Sequence, residues 1–188
     1  MRQQTYRISF EKVALVFISL CLLTSIAACQ GSVPVDQRST EEQDIREAVL
    51  RKQMEDWIKS GDKAEAEAKE ETEKAIARML NFRIFFISVN DKDPADDLMS
   101  RFKDIQRVIK KLSASEISKA QRMPVVDKSS RQRGIIFSAD KVRWHGKDSA
   151  EVEGGYRCDG LCGAGSKFRV NRENGKWVVK SSTMEWIS

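Results

Sequence analysis

Past Gly134 the apolar residues stop recurring every three or four positions and begin to alternate. No other feature narrows the possible folds as much, because a period of two belongs to strands with one face buried. In GIIFSADKVRWH, Val142 and Trp144 share one face, and Gly146 then marks a turn. SAEVEGGY sets Ala150, Val152, Gly154 and Tyr156 against Ser149, Glu151 and Glu153. KFRV, the turn NRENG and KWVVKSSTMEWIS complete the series. Asn174-Gly175 between two strand-like runs is the strongest short-range hairpin signal a sequence carries. The C-terminal part therefore reads as an antiparallel meander.

Upstream the pattern is helical. Ile45, Val49, Leu50, Met54, Trp57 and Ile58 fall on one helix face, which Gly61 interrupts. DKAEAEAKEETEKA favours helix without offering an apolar face, and reads as a solvated extension leading to Ile76, Met79 and Leu80. Asn81–Asn90 is apolar and β-branched enough for a strand, with continued helix as the alternative. Asp93 and Pro94 suit the cap and first position of a further helix. Its face would be Leu98, Phe102, Ile105, Ile109 and Leu112, spaced 4, 3, 4 and 3. Ser113 to Arg133 is polar, carries Pro124, and reads as a long connection with little regular structure. Helices first and strands afterwards indicate an α+β unit, with N-terminal helices packed on one face of an antiparallel sheet.

The chain opens with Arg2, Arg7 and Lys12 against Glu11, followed by the apolar run Val13–Ala28. A basic segment before a short apolar one marks an export signal. The run is shorter than the ~20 residues that cross a bilayer comfortably. Ile26-Ala27-Ala28-Cys29 resembles a bacterial lipobox, the site at which a lipoprotein leader is cut before a lipid-modified cysteine. The resemblance implies that residues 1–28 are a cleaved signal peptide and that Cys29 carries acyl chains. It also implies a bacterial envelope protein facing the periplasm, with Gln30 after the cysteine favouring the outer membrane over the inner. Residues 29–40 then read as a flexible polar tether and 41–188 as the folded unit. The whole chain has 33 basic and 28 acidic residues; without the leader, 30 and 27 remain, with no dense basic block. Nucleic acid is not an expected partner.

The order of elements, ending in the hairpin E-N-G-K-W-V-V, resembles the NTF2-like (cystatin-like) superfamily. The resemblance implies a long helix lying in the hollow of a strongly curved sheet, making a cone. The charged stretch after Gly61 departs from a compact member.

Cys158 and Cys162 lie in the glycine-rich segment GGYRCDGLCGAGS between two strands. In an exported protein two such cysteines are expected to pair, and the glycines let the backbone bring them within bridging range. The resulting disulfide would fix one loop. Zinc would need four ligands, and only His145 could join the pair. A redox pair would have two intervening residues, and haem attachment a histidine where Gly163 stands. No metal or cofactor is expected.

His145 is the chain's single histidine, with Asp148 nearby around a turn. Tyr156 and Glu153 lie on opposite faces of their strand, so they cannot both serve one site. With no nucleophile elbow or phosphate loop, the chain is not expected to be an enzyme. The first expectation for function is an interaction or assembly domain that dimerises, or joins an envelope partner, through its sheet face. Apolar residues on both faces of a strand, such as Trp177 and Val178, suit a covered sheet. The alternative is a binding module for a small apolar ligand, its pocket lined by Trp57, Trp144, Tyr156, Trp177 and Trp186. The two differ observably: a pocket protein keeps a polar group at an apolar cavity, and an assembly protein exposes a contiguous apolar patch.

Overall fold

A computed structural model describes residues 35–188. The signal peptide, Cys29 and residues 29–34 of the expected tether lie outside the described residues. The rest of that tether is helical: α1 spans Val35–Glu67 and runs roughly 50 Å at the usual rise per residue. Its anticipated face is the one it buries. Ile45, Val49, Leu50 and Met54 are inaccessible to solvent, and Trp57 and Ile58 are half-buried beside them.

Gly61 does not end the helix. The Ala, Glu and Lys residues around it favour helix strongly enough to offset about 1 kcal/mol for one glycine. The missing side chain has a tertiary use, since a Cβ at Gly61 would sit 3.0 Å from Oδ1 of Asn81. Asn81 is buried there, its Nδ2 donating to Asp62 at 3.0 Å and Glu65 at 2.7 Å. After a break at 68–70 comes α2, Glu71–Leu80, whose Glu73 carboxylate accepts from the backbone N–H groups of Lys69 and Glu70.

Strand β1, Ile84–Ser88, is buried along its whole length. It runs parallel to both neighbours, β2 (Val108–Lys111) and β5 (Gly134–Trp144). The expected long helix over 98–112 is replaced by a short α3, Asp96–Ser100, a run of turns, and β2. Leu98 and Phe102 still reach the core, as do the half-buried Ile105 and Ile109. The helical spacing is met by a turn and a strand because β1 needs a partner on its outer edge, and tertiary pairing overrides local preference. Asp93 does not cap α3, whose N-cap is Ala95; it accepts from the N–H of Ser113 at 2.7 Å instead.

The segment expected to be irregular carries a 3-10 turn (Leu112–Ala114) and an antiparallel pair, β3 (Ser115–Ile117) with β4 (Val125–Asp127). All three β4 residues are buried. Val125 joins Ile84 and Phe86, with Ala114 and Ile136, in a small second core on the sheet face away from α1. Asp127 holds this corner together, accepting from Lys110 at 2.8 Å, Ser129 at 2.6 Å and Ser130 at 2.8 Å.

The meander forms as the alternation predicts: β5, then β6 (Ser149–Asp159), β7 (Cys162–Glu173) and β8 (Lys176–Ile187), each antiparallel to the one before. The β7–β8 turn has Asn174 at φ 50° and Gly175 at φ 79°, the left-handed pair that a two-residue hairpin requires. Sheet order is β2-β1-β5-β6-β7-β8, so the architecture is α+β with a mostly antiparallel sheet. Residues 36–188 form one compact unit, and every residue of both buried cores belongs to it.

Candidate functional site

Below the C-terminal half of α1 the core does not close. Gln53, Trp57, Gly61 and Ala64, spaced 4, 4 and 3 residues apart, form a stripe facing a pocket of about 790 Å³. Ile76, Ala77 and Leu80 of α2 make a second wall, and Phe137, Tyr156, Ser166 and Phe168 make the sheet wall. The space follows from side-chain size. Gly154 pairs with Ser166 in the register, whereas nearer the start of α1 the same face carries Ala150, Val152 and Val170, all inaccessible to solvent. Helix α2 buries only Ala77, leaving Ile76 55% and Leu80 45% exposed.

The pocket is aromatic at its base. Trp57 lies 4.9 Å from the Tyr156 ring and 6.1 Å from Phe137, both edge-on. Gln53 supplies the polar group: its Nε2 donates to the Ser138 carbonyl at 2.9 Å, and its buried Oε1 has no partner among the described residues. The C-terminal end of α2 is tied down by Asn81. Arg107 braces the tie, donating to Asp62 at 2.8 Å and to Asn81 Oδ1 at 3.3 Å. The Asn81 hydrogen bond, with Arg107 beside it, holds the Asp62 carboxyl below the usual carboxylate range.

The five aromatic residues expected to share a pocket do not share one. Trp57 and Tyr156 line the pocket. Trp144 and Trp177 pack edge-on at 5.6 Å beside Arg38 and Arg172, which lie 5.3 Å and 4.9 Å over the two rings. Arg38 is nineteen residues before Trp57 on α1, roughly 28 Å along the helix axis. Trp186 is on the other sheet face, 55% exposed over Gly165, where a Cβ would fall 2.1 Å from its Nε1. Conversely, Gln53 and Ser166 gave no signal in the sequence. Ile76 and Leu80 did, as apolar residues four apart on a helix with no visible face to bury.

Cys158 and Cys162 are bonded across the β6–β7 connection, with Cα atoms 5.3 Å apart. Cys158 falls at a register shift between Arg157 and Asp159, so the bridge closes over a bulge. Asp159 reinforces the loop, accepting from the N–H of Leu161 at 2.8 Å. His145 and Asp148 lie exposed in the β5–β6 turn. Their main-chain groups there bond elsewhere, His145 N–H to Ser149 and the Asp148 carbonyl to Arg172.

On the face away from α1, the sheet carries the small second core at β1 and ion pairs over β5–β8. Arg143 pairs with Glu153 at 2.7 Å and Glu151 at 3.7 Å, and Lys167 pairs with Glu185. At the β1 side Asp140 accepts from the N–H of Asn90, and burial pushes its carboxyl up. Among the described residues no helix is long and apolar enough to cross a membrane, and no group of His, Cys, Asp and Glu side chains could hold a metal ion. No family model, curated protein or solved structure matches the chain.

Proposed function

We propose that this chain is a lipid-anchored protein of the bacterial envelope whose α+β unit binds a small apolar molecule, without catalysing a reaction on it. The observation that carries this is the pocket under α2, where Ile76 and Leu80 stay exposed beside Trp57 and Tyr156 and an unpartnered Gln53 oxygen sits at the wall. Apolar surface held open against about 25 cal/mol per Å² of burial free energy is the mark of a site awaiting a ligand. The Arg143–Glu153 and Lys167–Glu185 ion pairs on the opposite face favour this reading over assembly through the sheet.

In the same proposal, acyl chains on Cys29 hold the protein at the periplasmic side of the outer membrane. The α1–sheet packing is of the NTF2-like kind, with the pocket as the mouth of its cone. Two acyl chains suffice for stable anchoring, so no spanning helix is needed.

Native mass spectrometry of residues 30–188, exported and purified without reductant, tests the binding. Extra non-covalent mass, lost when Ile76 and Leu80 are both replaced by Asp, is the expected result. A bare species that also fails to take up dodecan-1-ol would sink the reading. For the anchor, labelled palmitate should enter the wild-type chain and not the Cys29→Ala variant.

One observation favours assembly as a second reading. Strand β8 has no partner on its outer edge among the described residues, and Met184, Trp186 and Ile187 are 59%, 55% and 69% exposed. Against it, Lys180 and Glu185 fall at the two register shifts of that strand, and bulges with charges blunt an edge. A dimer dissociated by Trp186→Ser in sedimentation velocity would raise this reading above the first.

A further inference from the structure

The charge of the pocket is one-sided. Asp56 and Glu67 of α1 and Glu73 of α2 line it, and among the described residues lining it there is no lysine, arginine or histidine. Lys52 bonds Asp56 at 2.6 Å and Lys63 lies 3.8 Å from Glu67, but neither lysine lines the pocket. The Glu73 carboxylate accepts from the backbone N–H groups of Lys69 and Glu70 at 2.9 Å and 3.2 Å, which hold it below the usual carboxylate range.

The walls reinforce the bias. The Trp57 and Tyr156 rings meet at 61°, and aromatic faces carry negative charge density that attracts cations. The hydroxyls of Ser60, Tyr156 and Ser166 line the space, and none bonds to another described residue. An anionic amphiphile here would set its own charge against three carboxylates, two of them paired with lysines outside the lining, and meet no cation in the lining itself.

We infer that the pocket takes a cationic amphiphile, its alkyl or aryl body against Ile76, Leu80 and Phe168 and its ammonium head in the field of the wall carboxylates, of which Asp56 and Glu67 stand eleven residues, roughly 16 Å, apart along α1. This rests on the ligand-binding reading above and adds the ligand's charge to it. The three carboxylates are exposed, so the selectivity is modest and screened by salt.

Isothermal titration of residues 30–188 with dodecyltrimethylammonium, dodecan-1-ol and dodecanoate, each below its micelle concentration, separates the two claims. The cation should bind about three- to tenfold tighter than the anion at low salt, with the alcohol between them. At ~1 M salt, where the screening length is near 3 Å, the spread should collapse. In Asp56→Asn/Glu67→Gln, which leaves the α2 cap intact, cation and anion should converge to within about twofold while alcohol affinity stays put. Equal binding of all three by the wild type, or a preference for dodecanoate, overturns the charge assignment and leaves the pocket standing. Failure of all three to bind overturns both.

Discussion

The two ends of α1 meet the same sheet in opposite ways. Toward its start, Ile45 and Val49 are sealed into a core that includes Ala150, Val152 and Val170, with the Trp144–Trp177 pair beside it. Toward its end, Trp57 is half-buried, Ala64 is exposed, and α2 shares with Gly155 and Ser166 a pocket that none of them fills. One helix on one sheet thus makes a closed wall at one end and an open pocket at the other. The difference lies in the size of a few strand residues and in an added helix whose only buried member is Ala77.

Truncation is the sharpest way to break this comparison. Leu50 is fully buried, so Leu50→Ala should cost about 2–5 kcal/mol in urea unfolding, as core cavities do. Ile76→Ala, at an exposed position of the pocket wall, should change stability by about 0.5 kcal/mol or less yet weaken dodecan-1-ol binding. Comparable stability losses at the two positions would mean that the open end is closed in solution.

Opening the disulfide should have an intermediate effect. A loop of this length removes about 2 kcal/mol of unfolded-state freedom in the chain-entropy account, so Cys158→Ser/Cys162→Ser should lose that much at most. The same variant should keep ligand affinity, because neither cysteine lines the pocket. Asn81→Ala should cost about 1 kcal/mol and act locally. Hydrogen exchange should quicken in Glu71–Leu80 and stay unchanged in β5–β8. Uniform quickening would show that α2 is not held independently.

The corner fastened by Asp127 is read through pH rather than through truncation. The Lys110 ammonium and the Ser129 and Ser130 hydroxyls hold its carboxyl far below the usual carboxylate range. A depressed folded-state pKa contributes stability that is complete above the unfolded value, near 4, and lost as pH falls toward the folded one. Thermal stability should therefore be flat from pH 7 to about 5 and decline below that. In Asp127→Asn the decline should be shallower; an unchanged slope would assign it to other carboxylates.

Much of the architecture was legible because local chemistry decided it. The buried face of α1 from Ile45 to Met54, the meander after Gly134 and the Asn174-Gly175 turn follow from periodicity and turn residues, while the apolar run Asn81–Asn90 was open to strand or helix until pairing made Ile84–Ser88 a strand. The Cys158–Cys162 pair was legible from spacing and flexible neighbours. The site was legible in fragments. Trp57 and Tyr156 stood out as aromatics, but nothing in the chain separated them from Trp144, Trp177 and Trp186, since only packing tells a lining residue from a core one.

By itself, then, the sequence determined where helical and strand-like periods run, where hairpins turn and which cysteines can reach each other. These depend on contacts between residues near in the chain. The tertiary structure alone decided that Leu98–Leu112 would split between a short helix, turns and a strand, because β1 required a parallel neighbour far from its own sequence position. It alone turned Gly61 from a helix stop into a seat for Asn81, twenty residues away. The pocket, too, exists only through such long-range placement: α2 is held by Asn81 over a stretch of sheet whose small residues cannot fill what lies beneath it.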